Sequence, residues 1–240
     1  MGVMTDRDFD TLRQHVRDRY ASSGQPPDVV RALNAHNDRV LDHVEEIAGG
    51  EKVTGVDYEL FKTIAILHDL AKADTPLMLH ADAGSDGAVA LLRDLGKDGE
   101  FVAAVDRGIR CHMGPFPFID EEARKYAERT GEHLHLPRPE GAVEKLFYDA
   151  DMLALIDIMG IEKVVVLRST TPEFMEEDER AAAAEGGTPR AAAYRSAMTS
   201  VKRAADTLFS ATARQIAARL VAEAEQHVSQ RLTAEGASAQ

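Results

Sequence analysis

Six imidazole and carboxylate side chains fall where the chain ought to be apolar. His36 lies on the stripe Val29, Leu33, His36, Val40, Val44, Ile47, whose steps of three and four trace one helix face. His68 and Asp69 follow Ile64, Ala65, Ile66 and Leu67, and His112 closes the stripe Phe101, Val105, Ile109. Asp149 and Asp151 interrupt residues 146–156, a run otherwise built for an interior. An ionised carboxylate is too costly to bury alone, so each needs a cation, a set of donors or a proton. Imidazoles and carboxylates facing inward from successive helices are the usual cage for a divalent ion. Each residue alone carries little: a lone buried histidine is more often a hydrogen-bonded core residue, and a single aspartate can cap a helix or pair with a base. Their order along the chain (His, His-Asp, His, Asp) is what favours metal binding for the set.

The elements that must position them are helical. The periodicity predicts a first helix over residues 6–20, ended by Ser22-Ser23-Gly24, and a second from about residue 28 that stops at Gly49-Gly50. A third, residues 57–72, is apolar nearly all round and so central. A polar link over 73–86 holds His80, followed by helices over 87–95 and 100–113, a charged surface helix over 120–130 and a loop over 131–139 with His133 and His135. Residues 140–167 are apolar on most faces. Residues 173–187 are acidic and alanine-rich and end at Gly186-Gly187; their alanines can alternatively form a surface helix. One long helix is expected over 189–232, interrupted on its stripe by Thr212, with a frayed end over 233–240.

Length and composition set the frame. The 240 residues, 44% of them hydrophobic, suffice for one domain with a full core. A net charge of −13 repels nucleic-acid backbones, which argues against long DNA or RNA as a partner, while a small phosphorylated ligand needs a local cation. No apolar run reaches the ~20 residues of a membrane span, and the opening MGVMTDRDFD lacks the pattern of a signal peptide. The single cysteine, Cys111, allows no internal disulfide and fits a cytoplasmic setting.

The segments 36–40 (HNDRV), 66–72 (ILHDLAK) and 149–153 (DADML) together resemble the HD-domain superfamily of metal-dependent phosphohydrolases. The likeness spans residues 28–167, and 158–164 (IMGIEKV) also looks like the sequence that follows the last ligand in some members. It implies an all-α fold: an HD-type bundle over 28–167, preceded by a helix and turn over 1–27 and followed by an acidic segment and a long helix over 168–240. It further implies a first metal on His36, His68, Asp69 and Asp151, with Asp151 preferred to Asp149 as the second acid of Asp-Ala-Asp. In two-metal members Asp69 would bridge to a second ion held by His80 and His112. Lys72, completing His-Asp-x-x-Lys, would reach the substrate phosphate.

Arg39 and Arg110 are further candidates for phosphate contacts. Arg107 and Arg138 are candidates of the same kind, though most of the four read as solvated charges; His43 reads as a neighbour of the ligands, and His133 and His135 as exposed loop residues. The resemblance implies hydrolysis of a small phosphomonoester or phosphoanhydride, foremost a nucleotide, with Asp69 and Lys72 as the catalytic pair. One or two divalent ions would serve, and manganese, iron, nickel, cobalt, zinc and magnesium all suit such ligands. The same ligand set also matches a branch that uses two irons and dioxygen on a small organic substrate. A non-catalytic regulatory module is a third reading, and the C-terminal helix leaves room for a homodimer.

Overall fold

A computed structural model of the chain describes residues 4–116, 119–185 and 187–236. Among the described residues there are eleven α-helices and no strand, so the fold is all-α. Gly186 and residues 237–240, read from the sequence as part of a break and of a frayed end, lie outside the described residues. No helix among the described residues is long and apolar enough to cross a membrane.

Helix α1 (Asp6–Ser22) starts on a capping box between Thr5 and Asp8 and buries Phe9, Leu12, Val16 and Tyr20, one face at three- and four-residue steps. Helix α2 (Pro27–Glu51) carries His36 on the apolar stripe expected of it. It does not stop at Gly49-Gly50 but runs on to Lys52, whose φ of 58° closes it in the left-handed region. Gly50 serves a close approach instead: a Cβ there would lie 2.5 Å from the Thr212 side chain. Helix α3 (Gly55–Leu67) is the centre of the bundle, with Phe61, Ile64, Ala65, Ile66 and Leu67 all buried against α1, α2 and neighbours further along the chain. Each such large side chain contributes about 1.5–3 kcal/mol of transfer free energy.

The chain then leaves helical geometry earlier than the sequence suggests. Over residues 68–74 the bonds shorten to i→i−3, Leu70 to Leu67 and Lys72 to Asp69, so His68, Asp69 and Lys72 sit on tight turns rather than on α3. A 3-10 turn, Leu77–Leu79, leads into α4 (His80–Asp94), which begins seven residues before the expected start at 87. The glycines that looked like link residues are packing residues. At Gly84 a Cβ would stand 3.4 Å from the His68 carbonyl, so α4 lies close against the His-Asp turn.

Helix α5 (Gly99–Cys111) pairs with α4, and α6 (Ile119–Thr130) forms the charged surface helix. The apolar run over 140–167 is two helices, α7 (Ala142–Ile156) and α8 (Ile158–Thr170). Asp157 divides them, its side chain accepting from Gly160 N at 2.7 Å to cap α8. The acidic segment is helical as α9 (Pro172–Glu185).

The single long C-terminal helix is a correction: it is two helices, α10 (Pro189–Ala205) and α11 (Ala211–Ala234). The break is fixed by α7. Asp149 accepts from the backbone N–H groups of Phe209 and Ser210 at 2.7 Å each, and Ser210 caps α11 by accepting from Ala213 N. Both helices pack on α7 and α8 rather than standing apart.

Candidate metal centre

Five elements deliver the polar residues to one buried point. His36 comes from α2, His68 and Asp69 from the turn after α3, and His80 from the first residue of α4. His112 follows the last turn of α5, and Asp151 comes from α7. All six are buried, His80 and His68 completely.

Asp69 stands between two groups and offers each a different oxygen. Its Oδ2 lies 3.7 Å from His36 Nε2 and 3.4 Å from His68 Nε2, while its Oδ1 lies 3.1 Å from His80 Nε2 and 3.9 Å from His112 Nε2. Asp151 Oδ1 joins the first group at 3.1 Å from His36 and 3.7 Å from His68. The geometry thus divides into His36, His68, Asp69 and Asp69, His80, His112, each compact enough to hold an ion.

The donor set fits divalent metals by its tautomers. His68, His80 and His112 each set Nδ1 against the carbonyl three residues back, at 2.9, 2.5 and 2.5 Å from Ala65, Leu77 and Ile109. A carbonyl only accepts, so Nδ1 carries the proton and Nε2 presents a lone pair to the cluster. His80 and His112 then face each other Nε2 to Nε2 at 3.1 Å, two lone pairs that repel unless a cation or a proton lies with them. His68 Nε2 and Asp69 Oδ2 are buried with no hydrogen-bond partner. Buried polar atoms left open in this way are rare, and here they converge.

The charges agree with that reading. Burial pushes His36 down to about 4 and His112 to about 3, so both are neutral ligands at pH 7. Burial alone would raise Asp69, but His68 and Lys72 outweigh it and hold the carboxyl well below the usual range; Asp69 in turn raises His68 against its burial, so without an ion a proton competes for that imidazole. Asp151 is likewise held low against burial, chiefly by its hydrogen bond with His36.

A layer behind the cluster holds it in place. Tyr20, fully buried on α1, donates its hydroxyl to the Asp69 carbonyl at 2.9 Å and accepts from Asn37 Nδ2 at 3.3 Å. Tyr20 and Asn37 escape sequence reasoning because a tyrosine at a core position looks like packing; only the buried hydroxyl's need for a partner hints at more.

A cavity of about 410 Å³ opens from the cluster. His36, His80, His112 and Asp151 line its inner end, beside Lys72 and Lys163. Met78, Met113, Phe116, Met152, Leu155 and Leu167 supply apolar wall. Lys72 Nζ lies 3.2 Å from Asp69 Oδ1 and 3.3 Å from His80 Nε2.

Arg39 and Arg110 are not brought there. Arg39 is bound to Asp157 at 2.6 Å and Asp42 at 2.8 Å, tying α2 to the start of α8. Arg110 is spent on Asp82, Asp86 and Asp106 at 2.5, 2.6 and 2.9 Å, locking α4 to α5. Neither lines the cavity. His43 is buried 3.8 Å from Asp157, away from the cluster, and His133 and His135 are exposed. Arg107 and Arg138 are exposed and loosely paired, with Glu144 at 3.6 Å and Asp120 at 3.7 Å. Lys163, on the cavity wall, is the residue the sequence reading passed over as part of the segment after Asp151.

Comparison with family models, curated proteins and solved structures finds no match for this chain. The structure alone therefore carries the class: an all-α protein with a buried His/Asp cluster able to hold metal, compatible with an HD-type site.

Proposed function

We propose that the chain is a metal-dependent phosphohydrolase that cleaves a phosphomonoester or phosphoanhydride of a small molecule. The observation that carries this reading is Asp69, whose two oxygens each serve one imidazole group at the inner end of a cavity. His36, His68, Asp69 and Asp151 would hold one divalent ion and Asp69, His80 and His112 a second, which when bound would supply Lewis acidity toward water and the phosphoryl group.

The chain's own residues do the rest. Asp69 and Asp151 stay ionised at neutral pH and keep the cluster anionic. The Nδ1 bonds to backbone carbonyls fix three of the imidazoles in one orientation. Lys72 sits beside Asp69, from where its ammonium steadies charge on the transferred phosphoryl group. The apolar wall keeps bulk water from competing at the phosphorus.

The test is phosphate release from purified protein across a panel of phosphate esters and anhydrides, with manganese, cobalt, nickel, zinc and magnesium in turn. No release under any metal rejects hydrolysis; metal retained without turnover then points to a binding module. The ligand set of four histidines and two aspartates supports a second reading, a diiron enzyme using dioxygen on a small organic substrate. Tightly bound iron with oxygen-dependent turnover would replace the hydrolase reading.

A further inference from the structure

Lys163 is buried, with 7% of its surface exposed, and it lines the cavity beside His36, Lys72 and Asp151. Among the described residues it makes no hydrogen bond and no ion pair; its charged neighbours, Lys72, Asp69, Asp151 and Asp157, act on it only at longer range. A buried ammonium without a partner is costly and is normally paired or replaced by an apolar residue. Asp69, Asp151 and Asp157 favour its charge from a distance, but none bonds it, so it is open to an anion that enters the cavity.

The other cations around the cavity are already matched. Lys125 is bonded to Glu122 at 2.9 Å and Glu121 at 3.3 Å, and Arg168 to Asp178 at 2.6 Å and Glu177 at 2.8 Å. Lys72 is bonded to Asp69. One uncommitted cation thus stands at the inner end, next to the metal ligands, and beyond it the wall is largely apolar, with Met113, Phe116, Met152, Leu155 and Leu167. Away from the cluster a second or third phosphate would meet Glu121, Glu122 and Glu177 on the lining, with Lys125 and Arg168 already paired, whereas a hydrocarbon body would meet the apolar side chains.

We propose that Lys163 holds the anionic head of the substrate, and that the substrate carries one such head on an apolar body rather than a nucleotide's chain of phosphates. This rests on reading the cluster as a metal-dependent active site. Lys163 is a binding residue here; Lys72, held beside Asp69, keeps the role proposed for it above.

Uncleavable alkylphosphonates test it. Calorimetric titration of the metal-loaded full chain with the series from methyl- to hexylphosphonate should show affinity rising about fourfold per methylene. A methylene-bridged, uncleavable nucleoside diphosphate should bind no tighter than methylphosphonate. Lys163→Met should weaken hexylphosphonate roughly ten- to hundredfold, and Lys163→Arg should restore most of it. Without ligand, Lys163→Met should melt above the parent protein, since it removes an unpaired buried charge; a lysine kept for structure would give the opposite shift.

Affinity independent of chain length, or a nucleotide analogue that outbinds hexylphosphonate, overturns the substrate class. A Lys163→Met protein that binds hexylphosphonate as the parent does, or melts lower, overturns the assignment of Lys163. Metal content measured on the same samples separates the two levels. Bound metal with no phosphonate binding defeats this inference alone, and no metal at all defeats the underlying reading with it.

Discussion

Asp149 and Asp151 stand two residues apart on α7, both buried, and they meet opposite surroundings. Asp149 is completed by the fold: two backbone N–H groups at the head of α11 donate to it, and its carboxyl is raised by burial in spite of them. Asp151 turns to the other side of the helix and meets His36 and His68. His68 Nε2 makes no hydrogen bond, and the neighbouring Asp69 Oδ2 is equally open. The difference separates two uses of a buried acid. One closes a structural account within the chain; the other leaves it open for something the chain does not encode.

The comparison can be broken or sharpened by substitution. The largest effect is expected from Asp69→Ala, which removes the residue common to both ligand groups. On the proposed reading, elemental analysis should find metal lost while circular dichroism still reports a helical fold, and a variant that keeps its metal would collapse the distinction. Asp149→Ala should do the reverse. Leaving two buried donors without an acceptor costs about 2–4 kcal/mol in urea unfolding, with metal content unchanged.

Tyr20→Phe lies between these cases, since its hydroxyl holds the Asp69 carbonyl. Metal affinity, followed by competition with a chelator, should fall roughly ten- to hundredfold, against about 1 kcal/mol in stability. The smallest effect belongs to Asp8, far from the cluster, where the hydrogen bond from Lys97 and then that from the Thr5 backbone bring the carboxyl down from 3.8 to about 2. A depressed acid stabilises the fold above its unfolded value and loses that contribution as pH falls. Asp8→Asn should therefore cost under about 1 kcal/mol at neutral pH, with the difference from the parent vanishing between pH 4 and 2 in thermal melts.

The helical class and most of the helices were legible because they rest on local periodicity. His36, His68, Asp69, His112 and Asp151 were legible as an unusual buried set because a histidine or aspartate on an apolar stripe contradicts its surroundings within a few residues, whereas His80, in a polar stretch, came only from the resemblance. Glycine was the main source of error. At Gly50, read as a helix stop, it marks a close approach between helices, and at Gly84, inside the expected link, one between α4 and the His-Asp turn. The break between α10 and α11 was hidden for a related reason, since it is imposed by Asp149, some 60 residues earlier. Arg39 and Arg110 could not be told from ligand-binding arginines, because the carboxylates that occupy them come partly from other helices. Lys163 gave no local signal: a lysine after Gly160-Ile161-Glu162 is unremarkable until its lack of a partner is seen in three dimensions.

The cluster draws its residues from positions 36, 68, 69, 80, 112 and 151. A chain growing from the ribosome presents the first five long before the last, and no pair of adjacent helices holds a complete set. On the proposed reading the group of Asp69, His80 and His112 is complete once residue 112 is made, whereas the other waits for Asp151 and closes only on the nearly finished chain, unlike a zinc finger, where the ion itself drives folding.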